Sequence, residues 1–125
     1  MSSDGISRKG FGPLESEVMD SVWSAGGSVA VRKVVDDLNE RRTEPLAYTT
    51  VMTVMSRLAD KEVLSRRKAG RGYVYEANAP DAAGIAVKDV LRAHGAAAVA
   101  HFVDEARADP VVLRRLRRLL SESDG

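Results

Sequence analysis

The stretch Leu46-Ala-Tyr-Thr-Thr-Val-Met-Thr-Val-Met-Ser-Arg-Leu58 decides the fold that we expect for this chain. Its apolar residues recur at the spacing of one helical face, and they are Ala47, Val51, Val54 and Leu58. The other face has hydroxyls, one cation and no carboxylate, and it carries Tyr48, Thr49, Met52, Thr53, Ser56 and Arg57. Hydroxyls and a terminal Arg suit the major groove of DNA, where they can meet base edges and phosphates. An amphipathic helix with an outer face that is neutral by chance is the alternative interpretation.

A basic hairpin is predicted shortly after this helix. Two short runs of strand-forming residues within residues 63–77 flank the triplet Gly70-Arg-Gly72, which allows positive φ in a tight turn and lifts the central Arg clear. Four of the six residues 66–71 are cations, and none of the six is acidic. Strand alternation would turn Tyr73 and Tyr75 to one face. A solvated run of charge is the alternative, but a neutral helix followed by a basic hairpin favours DNA binding.

Two helices and a short strand are predicted upstream. Residues 1–12 are polar and rich in glycine, so we expect a disordered tail there. Pro13 stands at the favoured first position of a helix whose apolar stripe ends at Gly26-Gly27. Ser28-Val29 is long enough only for a short strand, and residues 31–41 then repeat apolar side chains at helical spacing.

Three helices followed by a two-stranded hairpin, with a short strand after the first helix, form the winged helix-turn-helix arrangement. The third helix follows the second across a turn at Thr43-Glu-Pro45, as expected of a recognition helix. We therefore predict a mainly α fold in which residues 13–79 form a winged helix-turn-helix DNA-binding domain. The basic tip of the hairpin would lie against the adjacent DNA backbone or minor groove.

Residues 80–125 form a second predicted domain, made of three amphipathic helices without a strand signal. A segment of this size cannot bury its apolar faces alone, and the same segment of a second copy is the simplest partner. The predicted dimer interface comprises Ile85, Val90, Val99, Phe102, Val103, Leu113, Leu116 and Leu120. A twofold dimer would bind an inverted repeat with half-sites about 34 Å apart or a multiple of that distance.

Composition excludes several other classes of protein. The chain has 125 residues, 44% of them hydrophobic, which indicates one domain or a small domain with an appendage. It has no cysteine, a formal net charge of +1, and no apolar run near the ~18 residues of a membrane span. The first residues lack the apolar core of a signal peptide, so we expect a cytoplasmic protein.

The sequence contains no catalytic or metal-binding constellation, so we predict no enzyme activity, no cofactor and no metal site. The two histidines, His94 and His101, lie in an Ala-rich region, and no Gly-rich loop opens a helix. Two alternative functions stay open. One is a winged helix used for protein contact, which a carboxylate on the outer face of the third helix would have favoured. The other is a regulator of another family that senses a small ligand directly.

Across residues 13–122 the chain resembles the BlaI/MecI family of penicillinase-type repressors. Leu14-Glu-Ser-Glu-Val-Met-Asp-Ser-Val-Trp23 is similar to the first helix of that family, and Val31-Arg-Lys-Val34 is similar to the start of the second. The stretch from Ala47 to Leu58 is very similar to its recognition helix. Gly72-Tyr-Val-Tyr75 resembles the return strand of its wing.

The resemblance implies a homodimeric repressor whose N-terminal domains bind a double-stranded DNA operator with twofold symmetry. The DNA contacts would come from the third helix and the wing, through Tyr48, Thr49, Thr50, Thr53, Arg57, Arg66, Lys68 and Arg71. In the best-known members a membrane-bound sensor protease triggers cleavage before a Phe of the dimerisation region. The matching bond here joins His101 to Phe102, so a protease is a further expected partner. Members that sense copper carry a Cys-rich metal hook, which this chain lacks.

Overall fold

The computed structural model describes residues 11–124. The elements in chain order are α1 (Pro13–Ala25), β1 (Val29–Ala30), α2 (Val31–Asn39), α3 (Tyr48–Asp60), β2 (Leu64–Ala69), β3 (Gly72–Ala77), α4 (Ala82–His94), α5 (Ala96–Ala108) and α6 (Pro110–Asp124). This order confirms the predicted mainly α fold, in which three helices and a hairpin precede three further helices. Most of the predicted N-terminal tail, residues 1–10, lies outside the described residues.

Helix α1 begins and ends where its local sequence predicts. Pro13 stands in its first turn, and the Gly12 N–H donates to a carboxylate oxygen of Glu15 over 3.0 Å. Gly26 follows the helix with φ of 75°, and its N–H donates to the Trp23 carbonyl over 3.2 Å. Because glycine easily adopts the left-handed conformation, Gly26 ends the helix without strain.

An ion pair joins α1 to the end of α3. The Lys61 ammonium donates to the second carboxylate oxygen of Glu15 over 2.9 Å. Burial by itself raises the pKa of Glu15, but hydrogen bonds from Lys61 and Gly12 outweigh it and lower the pKa overall. A lowered pKa means that this carboxylate stabilises the fold at neutral pH, and that the contribution is lost as the pH falls through the lowered value.

The three strands form one antiparallel sheet in the order β1-β3-β2. The hairpin pairing ends with Ala69 opposite Gly72, so the turn consists of Gly70 and Arg71. Gly70 has φ of 61°, and a type II′ turn needs a positive φ at its first central position. The predicted hairpin is therefore present, with its Arg in the turn. The predicted short strand is also present, as β1, beginning at Val29.

One hydrophobic core lies between α1, α2, α3 and the sheet. Its buried members are Val18, Met19, Val22, Val29, Val31, Val34, Val35, Leu38, Val51, Met55, Leu58, Val63, Leu64, Tyr75, Ala79 and Ile85. Complete burial of one such Val, Leu or Met side chain contributes about 1.5–3 kcal/mol. Trp23 is half-buried against this core, and its Nε1 donates to the Ala79 carbonyl over 2.9 Å. That bond ties α1 to the segment that follows the hairpin.

The turn between α2 and α3 is held by the side chain of Asn39. Its Oδ1 accepts from the Leu46 N–H over 2.8 Å, and its Nδ2 donates to the Leu46 carbonyl over 3.1 Å. Both backbone groups of Leu46 are thereby satisfied immediately before the N-cap residue of α3, Ala47, which makes no side-chain cap. Asn39 consequently fixes where α3 starts relative to α2.

Helix α3 ends in a left-handed residue that is not glycine. Glu62 has φ of 64°. The Val63 N–H donates to the Leu58 carbonyl over 2.9 Å, and the Glu62 N–H donates to the Ala59 carbonyl over 3.0 Å. These two bonds form the Schellman motif, which glycine usually completes. A side chain at such a φ costs about 1 kcal/mol, so the junction between α3 and the wing stores strain.

The chain divides into two compact units, of which the first ends at Ile85 and the second begins at Ala86. This division lies inside α4, whereas the predicted domains, 13–79 and 80–125, meet before it. Ile85 is 4% exposed and belongs to the core of the first unit, which corrects its predicted place in a dimer interface. The reason is that the first turn of α4 still packs on that core. Phe11, predicted in the tail, is half-buried against the same core.

In the second unit, α5 packs against α6. Gly95 precedes α5 with φ of 55°, as the break between helices requires. Asp109 begins α6 as a cap, because its Oδ1 accepts from the N–H of Val111 over 3.0 Å and from that of Val112 over 3.3 Å. Among the residues that the structure describes here, Ala106 is buried, and many of the large apolar side chains are exposed.

Candidate nucleic-acid interface

The outer face of α3 is exposed and carries no carboxylate from its start to Arg57. The five residues predicted to contact DNA from this helix are all exposed, and they are Tyr48, Thr49, Thr50, Thr53 and Arg57. Tyr48 is 40% exposed, and Met52, one turn further along, is 39% exposed. Hydroxyl groups, one thioether and one guanidinium therefore project from the same accessible surface.

The inner face of α3 differs from the prediction at two positions. Val51 and Leu58 are buried and Val54 is half-buried, as expected. Ala47, predicted to face inward, is exposed because it is the N-cap residue, with extended backbone at ψ of 147°. Met55 is completely buried, since it follows Val51 by one helical turn. The core face of α3 therefore gains Met55 and loses Ala47 relative to the stripe that the sequence pattern predicts.

The three predicted wing cations, Arg66, Lys68 and Arg71, are all exposed. Arg66 lies opposite Tyr75 and Lys68 lies opposite Tyr73, so these two cations share one face of the hairpin. Arg71 is in the turn itself. The predicted alternation holds, although its two tyrosines differ in burial, because Tyr75 lies in the core and Tyr73 lies near the tip.

Arg66 connects the wing to α3. Its guanidinium lies 5.1 Å from the centre of the Tyr73 ring, within the range of a cation–π contact. One of its nitrogens donates to the Ser56 Oγ over 3.4 Å. A hydrogen bond with the Tyr75 side chain raises the pKa of Arg66, and a guanidinium is charged at every physiological pH in any case. The position of this cation is therefore set by both elements.

A cleft of about 530 Å³ lies between α3 and the wing. Its lining includes Tyr48, Met52, Ser56, Arg66 and Tyr73. At its other side the guanidinium of Arg32, from the first turn of α2, lies 4.9 Å from the centre of the Tyr48 ring. The cleft thus has cations at its margins and tyrosine rings and a thioether between them.

Sequence reasoning singled out neither Arg32 nor Tyr73 as a functional residue. Arg32 lies one residue into α2 and Tyr48 starts α3, and the helix-turn-helix geometry brings these two starts together. The signal available in the sequence was the pair Arg32-Lys33 at the start of a helix that precedes a recognition helix. Without knowledge of how the two helices pack, that pair cannot be distinguished from ordinary solvated surface charges.

The predicted dimer-interface residues of the second unit fall into two groups. Val90, Val99, Phe102 and Leu120 are exposed, with Phe102 at 51%. Val103, Leu113 and Leu116 are half-buried. Further large apolar residues that the prediction left out are exposed as well, namely Val87, Leu91, Val111, Val112 and Leu119. The apolar surface is therefore larger than the sequence pattern indicated.

An apolar groove of about 470 Å³ crosses this unit between α4 and α5. It is lined by Ala86, Val87, Val90, Leu91, Ala98, Val99 and Phe102, all of them apolar. Phe102 also borders a smaller cavity against α6, of about 240 Å³. His101 and Phe102, the residues of the predicted cleavage bond, are both exposed and lie inside α5.

Residues 11–124, the described part of the chain, also bear on metal binding and membrane insertion. No three His, Cys, Asp or Glu residues in this range come together in a way that could hold a metal ion. None of the described helices is long and apolar enough to cross a membrane.

Comparison with known proteins identifies the family. The family model described as penicillinase repressor matches residues 11–122. The transcriptional regulator BlaI of Mycobacterium tuberculosis, from strains CDC 1551 and H37Rv, is 39% identical over 119 residues, which cover 90% of this chain and 83% of the relative. A solution structure of the DNA binding domain of the repressor BlaI superposes with a TM-score of 0.50 at 28% identity, covering 60% of this chain and 88% of that one.

These comparisons confirm the predicted winged helix-turn-helix fold and the resemblance stated from the sequence. The matching proteins are regulators of transcription, which agrees with the prediction that the chain is not an enzyme. The chain belongs to the penicillinase repressor family, the BlaI/MecI family of transcriptional repressors.

Proposed function

We propose that this protein is a homodimeric repressor that binds an inverted-repeat DNA operator through α3 and the wing. The observation that carries the proposal is the surface of α3, where exposed hydroxyls precede the exposed Arg57 and no carboxylate intervenes before Asp60. A phosphate backbone favours such a surface, because every acidic side chain there would repel it. The relatives named above, a transcriptional regulator and a repressor with a DNA binding domain, support the same function.

One stripe of α3 in particular would meet the major groove. It consists of Thr49, Thr53 and Arg57, which follow one another at one-turn spacing and have exposed side chains. Threonine hydroxyls can donate to or accept from base edges, and Arg can bond to guanine or to phosphate. Sequence specificity should therefore come from this helix. Thr50, which is exposed beside this stripe, could add a further contact.

The wing would supply contacts that do not depend on base sequence. Lys68 is exposed on the hairpin face that also carries Arg66, and Arg71 projects from the turn. Cations on a hairpin beside a recognition helix suit the adjacent phosphates. Each phosphate neutralised releases counterions, so the logarithm of the binding constant should fall by about 0.9 per phosphate for each unit of log salt.

The dimer would form through the second unit. Exposed apolar groups in a monomer mark a surface that associates, and here they occur along α4, α5 and α6. The groove lined by Val90, Val99 and Phe102 presents almost only apolar atoms. A second copy of the same segment can bury both grooves at once through a twofold axis.

Dimerisation would also explain how a small domain selects an operator. One recognition helix and one wing contact few base pairs, whereas two of them joined in a dimer bind two half-sites in one event. The operator should then be an inverted repeat. Repression would follow because the bound dimer excludes the polymerase from the promoter.

Release of the operator by proteolysis at His101-Phe102 would act on the dimer. The bond lies within the helix α5, and loops rather than helices are the preferred sites of proteolysis. Cleavage would therefore require local opening of α5 before a protease could act. It would separate Phe102 and all of α6 from the first half of the dimerisation unit.

The test is a selection of bound fragments from random-sequence duplex DNA by the purified full-length protein at moderate salt. We expect enrichment of an inverted repeat, whose spacing gives the distance between the two α3 helices. Enrichment of a single half-site would contradict the dimer, and recovery of DNA without any motif would contradict sequence-specific binding. In that case the exposed face of α3 would have to serve a protein contact instead.

A further inference from the structure

The stripe of α3 that faces the wing has an apolar residue at its centre. Tyr48, Met52 and Ser56 follow one another at one-turn spacing, and all three line the cleft between α3 and the wing. Arg32 lies over the Tyr48 ring at one end, and Arg66 donates to Ser56 at the other. Met52, 39% exposed, therefore lies between two guanidinium groups that are held in place by its neighbours.

The chemistry of Met52 limits what it can recognise. A thioether donates no hydrogen bond and is only a weak acceptor, so it has little to offer a phosphate or a polar base edge. Its flexible chain of apolar atoms gains free energy only by removing another apolar surface from water. Within the major groove, the apolar group that base edges present is the C5 methyl of thymine.

We infer that Met52 recognises the C5 methyl group of a thymine in each half-site of the operator. The inference rests on the proposed function, because it requires α3 to enter the major groove. Arg32 and Arg66 would face the phosphates on either side, and this would hold the centre of the stripe against the base edges. The hydroxyls of Thr49 and Thr53, on the adjacent stripe, would supply the hydrogen bonds that a methyl contact lacks.

The experiment uses full-length protein and the operator recovered by selection. Each thymine of a half-site is replaced in turn by deoxyuridine, at symmetric positions in both halves, so that a methyl group is the only difference. At one position we expect binding to weaken about fourfold for each half-site, hence about sixteenfold for the duplex, the ratio expected for one methyl group removed from water. At other thymines the ratio should stay near one.

Three variants assign that effect to the side chain. Met52→Ala should lose the preference for thymine over uracil at that position, and Met52→Leu, which keeps an apolar side chain of similar size, should retain it. Arg71→Ala is the control for general weakening, because it should bind every duplex less tightly and keep the thymine preference. Both positions are exposed, so the fold should tolerate the changes.

The outcomes separate the two proposals. Tight binding of the operator with no sensitivity to uracil, or a thymine preference that persists in Met52→Ala, would overturn the role of Met52 and leave the proposed function standing. Failure of the wild-type protein to bind any duplex selectively would overturn the proposed function, and this inference with it.

Discussion

The two units of this protein differ in how far their apolar side chains are buried. In the first unit, valines, leucines and methionines of three helices and a sheet are buried against one another, and the exposed surface of α3 is polar apart from Met52. In the second unit, residues such as Val90, Val99 and Phe102 are about half exposed. A unit that buries its core can present a polar surface for a ligand, whereas exposed apolar groups mark a surface for association.

This difference assigns a separate task to each unit. The surface of the first unit is suited to a polyanion, because Arg32, Arg57, Arg66 and Arg71 are exposed around uncharged hydroxyls. The second unit carries Arg residues too, on α6, but its acidic residues nearly balance its basic ones: residues 86–125 hold seven basic and six acidic side chains. Its most distinctive surface is apolar. Changes in the two units should consequently affect different measurements.

The largest effect should come from removing most of the second unit. A chain that ends at His94 keeps Ile85 in the first core and loses α5 and α6. We expect this chain to be folded and monomeric, and to bind the operator at least a hundredfold less tightly. The reason is that two unlinked monomers must bind the two half-sites independently, whereas in a dimer the binding of one half-site brings the other DNA-binding domain close to the second. Sedimentation and a binding titration against the operator would measure both. Operator affinity equal to that of the full chain would contradict the role given to the second unit.

A charge in the apolar groove should have the next largest effect. In Phe102→Asp, dimerisation would have to bury a carboxylate without a partner, which costs several kcal/mol and should weaken the dimer more than a hundredfold. Ala100→Asp is the matched control, since Ala100 is exposed on the same helix and does not line the groove. Dilution-dependent sedimentation should separate the two variants. Equal dimer stability in both would exclude the groove from the interface.

The first unit is probed by Asn39→Ala, which should lower its stability without affecting dimerisation. The change leaves the half-buried N–H and carbonyl of Leu46 without their side-chain partner, a loss of about 2 kcal/mol for the two bonds. Asn39→Asp keeps the acceptor for the N–H but sets a second carboxylate oxygen against the Leu46 carbonyl, so this variant should also be less stable than the wild type. Urea unfolding of each variant gives the free energies. A stability unchanged in both variants would show that the turn before α3 holds without this clamp.

The smallest effect, and a gain, is expected at the strained end of α3. Glu62 has φ of 64°, so Glu62→Gly removes the steric cost of a left-handed side chain and should stabilise the first unit by about 0.5–1 kcal/mol. Glu62→Ala is the control, because it also carries a Cβ and should gain nothing from the backbone. Thermal unfolding would compare the three proteins. A melting temperature for the Gly variant at or below that of the Ala variant would argue against stored strain.

Much of the fold was predictable because its signals are local. Pro13 and Gly26 mark the ends of the first helix, and the glycine at position 70 marks the turn of the hairpin. The spacing of apolar residues located every helix, because one turn of a helix repeats after three or four residues whatever lies beyond it. The surface of α3 was predictable for the same reason, since the residues that are not on the core face are exposed.

Contacts between elements were not predictable from local patterns. Met55 was left out of the core because the pattern passed from Val51 to Val54, three residues on, whereas the packed helix also buries the residue four positions on. Ile85 was assigned to the second unit because periodicity identifies a helix but cannot say which core each of its turns joins. The contact of Asn39 with Leu46 also depends on the folded turn, which brings together two residues seven positions apart.

The sequence by itself determined the order of the elements, the neutral face of α3 and the basic hairpin, since each depends on residues that are neighbours in the chain. Only the tertiary structure decided that Arg32 lies over Tyr48 and that Arg66 reaches Ser56, with Met52 between them. It also decided which apolar residues of the last three helices stay exposed. The physical reason is that burial and pairing across elements depend on packing angles, which no short stretch of sequence encodes.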